Sequence, residues 1–298
     1  MKVFPELIKS TWKVLLSLSK KSASPSEIAR STGIPLSKVS VSVSRLIAAK
    51  VLMPRKGYEI LAMDASLRSS ISNLLLDYPE NQFVDLLYGV RLNILFQVSE
   101  GYNTMNKLKL ITNYPEVTLK RILKQLQDAL LIYQPNKGVY ELRDVFKDKI
   151  TSLKSVFLAH FFESLKAQGL TWKKILVFGN SILIKSEHVH LPGFVQTGFS
   201  RFHRYKVELI MTPDNYFVNS GKEPTKQEVF VHALTFSIND ARYLLYCMLF
   251  ADLNKLMRKK LKDLVEIYRV EKEAASVFES LKIKSQEYVE LRREYARD

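Results

Sequence analysis

Two stretches of this chain, eighty residues apart, carry hydroxyls and cations at helical spacing. The first holds Ser37, Lys38, Ser40, Val41, Ser42 and Arg45; the second holds Thr118, Lys120, Arg121, Lys124 and Gln125. These are the side-chain types that grip a phosphate chain and read base edges. Arginine reaches guanine or phosphate, short hydroxyls allow close approach, and a valine meets a thymine methyl. Arg55 and Lys56 stand at one expected turn and Lys137 at another, placed to sit beside phosphates or a minor groove. Together they predict contact with double-stranded DNA. The plainer reading of each set is a solvated helix face.

Other reactive types do not assemble into a site. His188 and His190 share one side of an expected strand and His203 follows in sequence, but no cysteine cluster or HExxH accompanies them. Packing or surface roles are expected instead, and no metal. His232, between Phe230 and Leu234, reads as a core histidine, and Cys247 within YLLYCMLF as a small buried hydrophobe. The chain has neither a P-loop nor GxGxxG, so no cofactor and no catalytic residue is expected. A rival reading is a nucleic-acid-modifying enzyme whose metal site gathers Glu208, Asp214 and the histidines. Another is a scaffold whose repeated units bind protein.

The charge balance favours a polyanionic partner. In 298 residues, 45 Lys and Arg face 30 Asp and Glu, a formal charge of +15. A lone cysteine cannot form an intramolecular disulfide. No apolar run approaches the length of a membrane span, and the first residues lack a cleavable leader pattern. The expectation is a cytoplasmic protein with no membrane partner.

The elements that position the two stretches are repeats of one another. Shifting the sequence by 80 places Val14, Leu15, Leu16 and Leu18 on Ile94, Leu95, Phe96 and Val98. It sets Thr32 and Pro35 on the identical Thr112 and Pro115, and Val39, Val43 and Leu46 on Leu119, Leu123 and Leu126. Each copy opens with a helix, over Phe4–Ser19 and again Phe83–Ser99. A short second helix follows, started by the capping pattern Ser24-Pro25-Ser26-Glu27 in the first copy. It ends at Gly33 or Asn113, residues that tolerate the left-handed region. A longer helix from Pro35 or Pro115 and a hairpin turning at Lys56-Gly57 or Lys137-Gly138 complete the unit.

The stretch SPSEIARSTGIPLSKVSVSVSRLIAAKVLMPRKGYEI resembles the DNA-binding core of MarR- and ArsR-type archaeal or bacterial transcriptional regulators. The resemblance covers residues 5–62 and, more weakly, 84–143. It implies a winged helix-turn-helix used twice, the third helix of each copy entering the major groove. Beyond Gly169, ILVFGNSILI reads as strand and turn, RYKVELIM as another strand, and the rest from Pro224 as helical. A winged helix followed by such a unit is similar to the AbiEi-like antitoxins of abortive-infection systems. Gly179-Asn180-Ser181 also resembles the turn of nucleotidyltransferases, but no Asp-x-Asp follows, which implies a degenerate and inactive copy.

The expected fold is mainly α with small β: two tandem winged-helix domains followed by a C-terminal α+β domain. The boundaries are 1–62 and 83–145 for the two copies, with a linking helix at 63–82. A connector helix at 146–168 leads to the C-terminal domain at 169–298. The expected function is a sequence-specific transcriptional regulator, antitoxin-like in its autoregulation. A homodimer through the tail and a toxin-like protein are the further partners expected. The tail stripe for that dimer comprises Leu261, Leu264, Val265, Tyr268, Val277, Phe278, Leu281, Tyr288 and Leu291.

Overall fold

The computed structural model describes residues 7–55, 60–76, 80–209, 214–219, 222–284 and 286–295. The chain is mainly helical with small antiparallel sheets, and it divides into two compact units, Lys2–Leu170 and Thr171–Asp298. No described helix is long and apolar enough to cross a membrane.

The first unit opens with helices α1 (Lys9–Lys20), α2 (Pro25–Thr32) and α3 (Leu36–Ala48), followed by strands β1 (Leu52–Arg55) and β2 (Ile60–Met63). The same order returns as α6 (Val90–Ser99), α7 (Met105–Thr112), α8 (Glu116–Asp128), β3 (Ile132–Asn136) and β4 (Val139–Leu142). Local chemistry repeats along with the order. Ser24 caps α2 in a full capping box with Glu27, and Thr104 caps α7 by accepting from the Lys107 N–H. The hydroxyls of Thr32 and Thr112 each donate to a carbonyl one turn back, on Ile28 and Leu108. Gly33 and Asn113 then turn the chain at φ 68° and 58°, and Pro35 and Pro115 open the next helix. That helix ends in both copies on a residue in the left-handed region, Lys50 (φ 59°) and Leu130 (φ 60°). An isolated bridge ties the segment before the second helix to the hairpin, Ala23 with Leu61 and Thr104 with Val139.

Between the copies, residue 63–82 was expected to be one linking helix and Phe83–Ser99 another. Instead α4 (Ala65–Leu75) is followed by α5 (Glu80–Leu87) and α6, with a break at Tyr88-Gly89. Gly89 sits at φ 63°, where the chain reverses out of the helical region despite unbroken apolar patterning. The Gly89 N–H donates to the Leu7 carbonyl at 2.8 Å, which pins the break against the entry to α1.

Helix α9 (Asp144–Ala167) is the spine of this unit and packs on α4 and α6. Its Lys154 is buried and pairs with Glu100 at the end of α6, while Phe157 meets Phe96. Ser152 hydrogen-bonds Ser70 of α4 at 3.1 Å. The half-buried His160 lies 4.0 Å from the Asp64 carboxylate, just before α4. One helix therefore packs against the second copy and against the helix that follows the first, through contacts of several kinds.

The second unit has a four-stranded antiparallel sheet in the order β5 (Lys174–Phe178), β6 (Ser181–Ser186), β8 (Asn215–Val218), β7 (Val195–Gln196). The described part of RYKVELIM, residues 204–209, is not a strand. A 3-10 helix spans Gly198–Tyr205, residues 207–209 are irregular, and residues 210–213 lie outside the described set. Phe199 and Phe202 turn inward there to stack on Tyr243 and Phe250, which fixes the tight helical winding. At its start Gly198 faces α10 so closely that a Cβ would lie 3.4 Å from the Ala233 backbone nitrogen. Helix α10 (Lys226–Phe236) is buried from Val229 to Phe236. It packs against the 3-10 helix, α11 (Ala241–Leu253), α12 (Arg258–Ile267) and α13 (Glu271–Ile283). Helix α14 (Gln286–Glu294) closes on α11.

The apolar tail stripe is spent largely within its own domain. Leu261, Val265, Tyr268, Val277 and Tyr288 are buried, and Leu264, Phe278, Leu281 and Leu291 are half-buried. The stripe therefore does not stand out as a free surface for a second copy.

Candidate nucleic-acid interface

Helix α3 turns Val39, Val43 and Leu46 inward and leaves Ser37, Lys38, Ser40, Val41 and Arg45 exposed. Val41 is 51% exposed, unusually open for a valine, and lies next to Ser40 and within one turn of Arg45. Ser40 donates its hydroxyl to the Leu36 carbonyl at 3.0 Å, leaving its lone pairs outward. Arg45 makes no ion pair with another described residue. These groups lie on one side of one helix, within two turns.

Ser42 does not belong to that face. It is 2% exposed and accepts a hydrogen bond from the Thr11 hydroxyl of α1 at 3.4 Å. Helical geometry explains the correction. Position 42 lies three residues after Val39 and four before Leu46, so it falls within the inward arc. Its small side chain lets α1 and α3 approach, and Thr11 supplies the partner that a buried hydroxyl requires. At the hairpin, Arg55 ends β1 and its side chain is not described, and Lys56 with the expected turn lies outside the described residues.

On α8, Leu119, Leu123 and Leu126 face inward, and Lys120, Arg121 and Lys124 are exposed. Two members of the expected set are drawn into other contacts. Lys120 pairs with Glu116 one turn earlier at 2.7 Å. The hydrogen bond to Glu116 raises the Lys120 pKa, and the reciprocal bond lowers that of Glu116. Gln125 is half-buried and accepts from the Arg91 guanidinium at 2.8 Å, while that guanidinium stacks over Tyr88. Thr118 is half-buried. Lys137 is exposed at the turn of the second hairpin, beside Gly138 at φ 81°.

Composition alone left two features of these faces unseen. Val117, the counterpart of Ser37, is 80% exposed, and Leu36 at the start of α3 is 50% exposed. Apolar residues are assigned inward by default, and only the position at a helix start, before the inward row begins, signals otherwise.

Among the described residues of the second unit, the histidines and carboxylates named above are not gathered into one site. His188 hydrogen-bonds Thr171 at 2.9 Å from irregular chain, not a strand, and His190 and His203 are exposed. Among the described residues no group of three or more His, Cys, Asp or Glu is placed to hold a metal ion. Asp214 is nearly buried between Lys173 (2.9 Å) and Lys185 (3.1 Å). Burial pushes its carboxyl up, but hydrogen bonds from both lysines outweigh this and hold it low. Glu208 is exposed. His232 is buried, takes part in a 2.7 Å hydrogen bond with Thr197 and lies edge-on to the Tyr268 ring.

A family model described as HVO_2833_C, C-terminal, matches residues 192–295, which covers β7, the 3-10 helix, β8 and α10 to α14. No curated protein and no solved structure matches the chain.

Proposed function

We propose that this chain is a sequence-specific double-stranded DNA-binding regulator of transcription, its two helix–helix–helix–hairpin copies acting as tandem winged helices. The supporting observation is the outward face of α3, which gathers Ser37, Lys38, Ser40, Val41 and Arg45 on one helix side. A helix that presents its N-terminal half in this way offers hydroxyls, an apolar group for thymine methyls and a guanidinium for guanine. The excess of cations over the whole chain supplies the non-specific attraction. Copy two contributes chiefly cations, Arg121 and Lys124, and so grips more than it reads. The C-terminal unit does no chemistry of its own in this reading. The engagement of Asp214 by two lysines supports that, since a carboxylate so held is a poor metal ligand.

Fluorescence anisotropy of the full chain on pools of duplex fragments tests the proposal. A selected sequence should bind at least ~1000-fold more tightly than random duplex, with affinity falling steeply as salt rises. Equal affinity for every duplex, or binding insensitive to salt, overturns it.

A further inference from the structure

A groove in the first unit lies away from the outward face of α3. It runs between α1, α2 and α5, has a volume of about 720 Å³, and is lined by Lys9, Lys13, Lys20 and Lys21. Small-ligand sites occupy roughly 300–1,000 Å³. Lys9, Lys13 and Lys20 recur at intervals of four and seven, which sets them on one side of α1. Ser17, Ser31 and Thr32 add hydroxyls to the same walls, the first two 3.2 Å apart.

The ends of the groove restrict what fits. Asp85 of α5 pairs with Lys9 at 2.5 Å at the start of α1. Beyond the other end of α1, Glu27 is fixed in the capping box with Ser24. A continuous nucleic-acid backbone laid along the groove meets both carboxylates. A compact anion needs to span only Lys13, Ser17 and Lys20, which precede Glu27 in the chain and follow Lys9. From Lys9 to Lys20 the helix rises roughly 16 Å, long enough for a chain of phosphates and too short for an extended strand.

We propose that this groove binds a small molecule carrying a chain of phosphates, held by Lys13 and Lys20 with the Ser17 hydroxyl. The site is independent of DNA binding. Because α5 forms one wall and leads directly into the Gly89 break before α6, an occupant touches the segment that joins the two copies.

Isothermal titration of the full chain with inorganic tripolyphosphate and with ATP, magnesium-free at fixed ionic strength, tests this. One saturable site is expected. The Lys13→Gln/Lys20→Gln variant should weaken it by about tenfold or more, while Lys120→Gln/Lys124→Gln on α8 stays within about twofold. Lys13→Arg/Lys20→Arg, which keeps both charges, should retain binding and guards against a folding defect. Equal affinity for both probes assigns recognition to the phosphate chain, and tighter ATP adds a base or ribose contact; either supports the site. The absence of saturable binding by either probe overturns it. So does equal weakening by the α1 and α8 variants, which is general charge attraction. A lysine pair in α1 that alters the salt dependence of DNA binding and leaves both probes unaffected makes the groove a duplex contact and also overturns it.

Discussion

On the exposed side of α8, the Lys120 ammonium lies 2.7 Å from the Glu116 carboxylate one turn earlier. Glu116 serves the helix well, because a carboxylate in the first turn opposes the positive end of the dipole. It serves a phosphate partner badly, because it occupies the ammonium and adds a negative charge to the same face. The corresponding position in α3 is Leu36, which makes no such demand.

The pair gives the first prediction. Glu116→Gln should tighten DNA binding and steepen the dependence of log affinity on log salt by about one unit, as one more cation becomes available to phosphate. Titrations at four or five salt concentrations measure this. An unchanged slope in Glu116→Gln means that α8 does not touch DNA.

Arg45 is predicted to carry discrimination. Arg45→Ala should weaken the selected site by about 1–3 kcal/mol and random duplex by much less. Competition titrations with both duplexes separate the two effects. Equal losses would reduce Arg45 to a phosphate contact.

The repeat was legible in the sequence because its markers are backbone devices with few substitutes. Thr32 and Thr112, Gly33 and Asn113, and Pro35 and Pro115 each do in the structure what their types require. Side-chain direction was less legible. Ser42 looks like a surface residue by type, yet its place between Val39 and Leu46 turns it inward against Thr11. Gln125 reads as a free amide, and only tertiary packing brings Arg91 to it. In the C-terminal unit, apolar residues near Val207 mimic a strand. The winding there is set instead by Phe199 and Phe202 against α11, contacts some forty residues away in the chain.

Asp64 gives a prediction in pH. It caps α4, accepting from the backbone N–H of Ser66 and Leu67 and from the Ser66 hydroxyl. The Ser66 hydroxyl is the main cause that holds its carboxyl below the usual range, helped by the two N–H groups and His160 and opposed by partial burial. A depressed folded pKa means that this stability is fully present above the unfolded value of about 3.9 and is lost as pH falls through the folded one. Asp64→Asn keeps a good cap and removes the titration, so it should change neutral stability by less than about 0.5 kcal/mol and flatten the acid limb below pH ~4. Asp64→Ala should cost about 1 kcal/mol at neutral pH. Urea titrations of the three proteins between pH 3 and 7 read the difference. An acid limb of the same slope in Asp64→Asn refutes the assignment.

His232 gives the last prediction, in the second unit. Its imidazole is buried among Thr197, Tyr268 and the apolar run of α10, and burial pushes its pKa down to about 3. The unfolded imidazole protonates near 6.5, so acid favours the unfolded chain over a wide interval. The sign follows directly. Stability from keeping His232 neutral is fully present above pH ~6.5 and falls continuously as pH drops toward 3. Hydrogen exchange of the α10 amides, measured at intervals between pH 7 and 4 after correction for intrinsic rates, should show protection lost from this unit. In His232→Gln, an amide still reaches Thr197 but cannot take up the proton. The variant should be less stable at pH 7, because the imidazole packing against Tyr268 is lost, and its protection should change less with acid. The diagnostic quantity is therefore the slope, not the level. Parallel slopes in the two proteins would mean that His232 takes up its proton equally in the folded and the open states, and that acid sensitivity arises elsewhere in the unit.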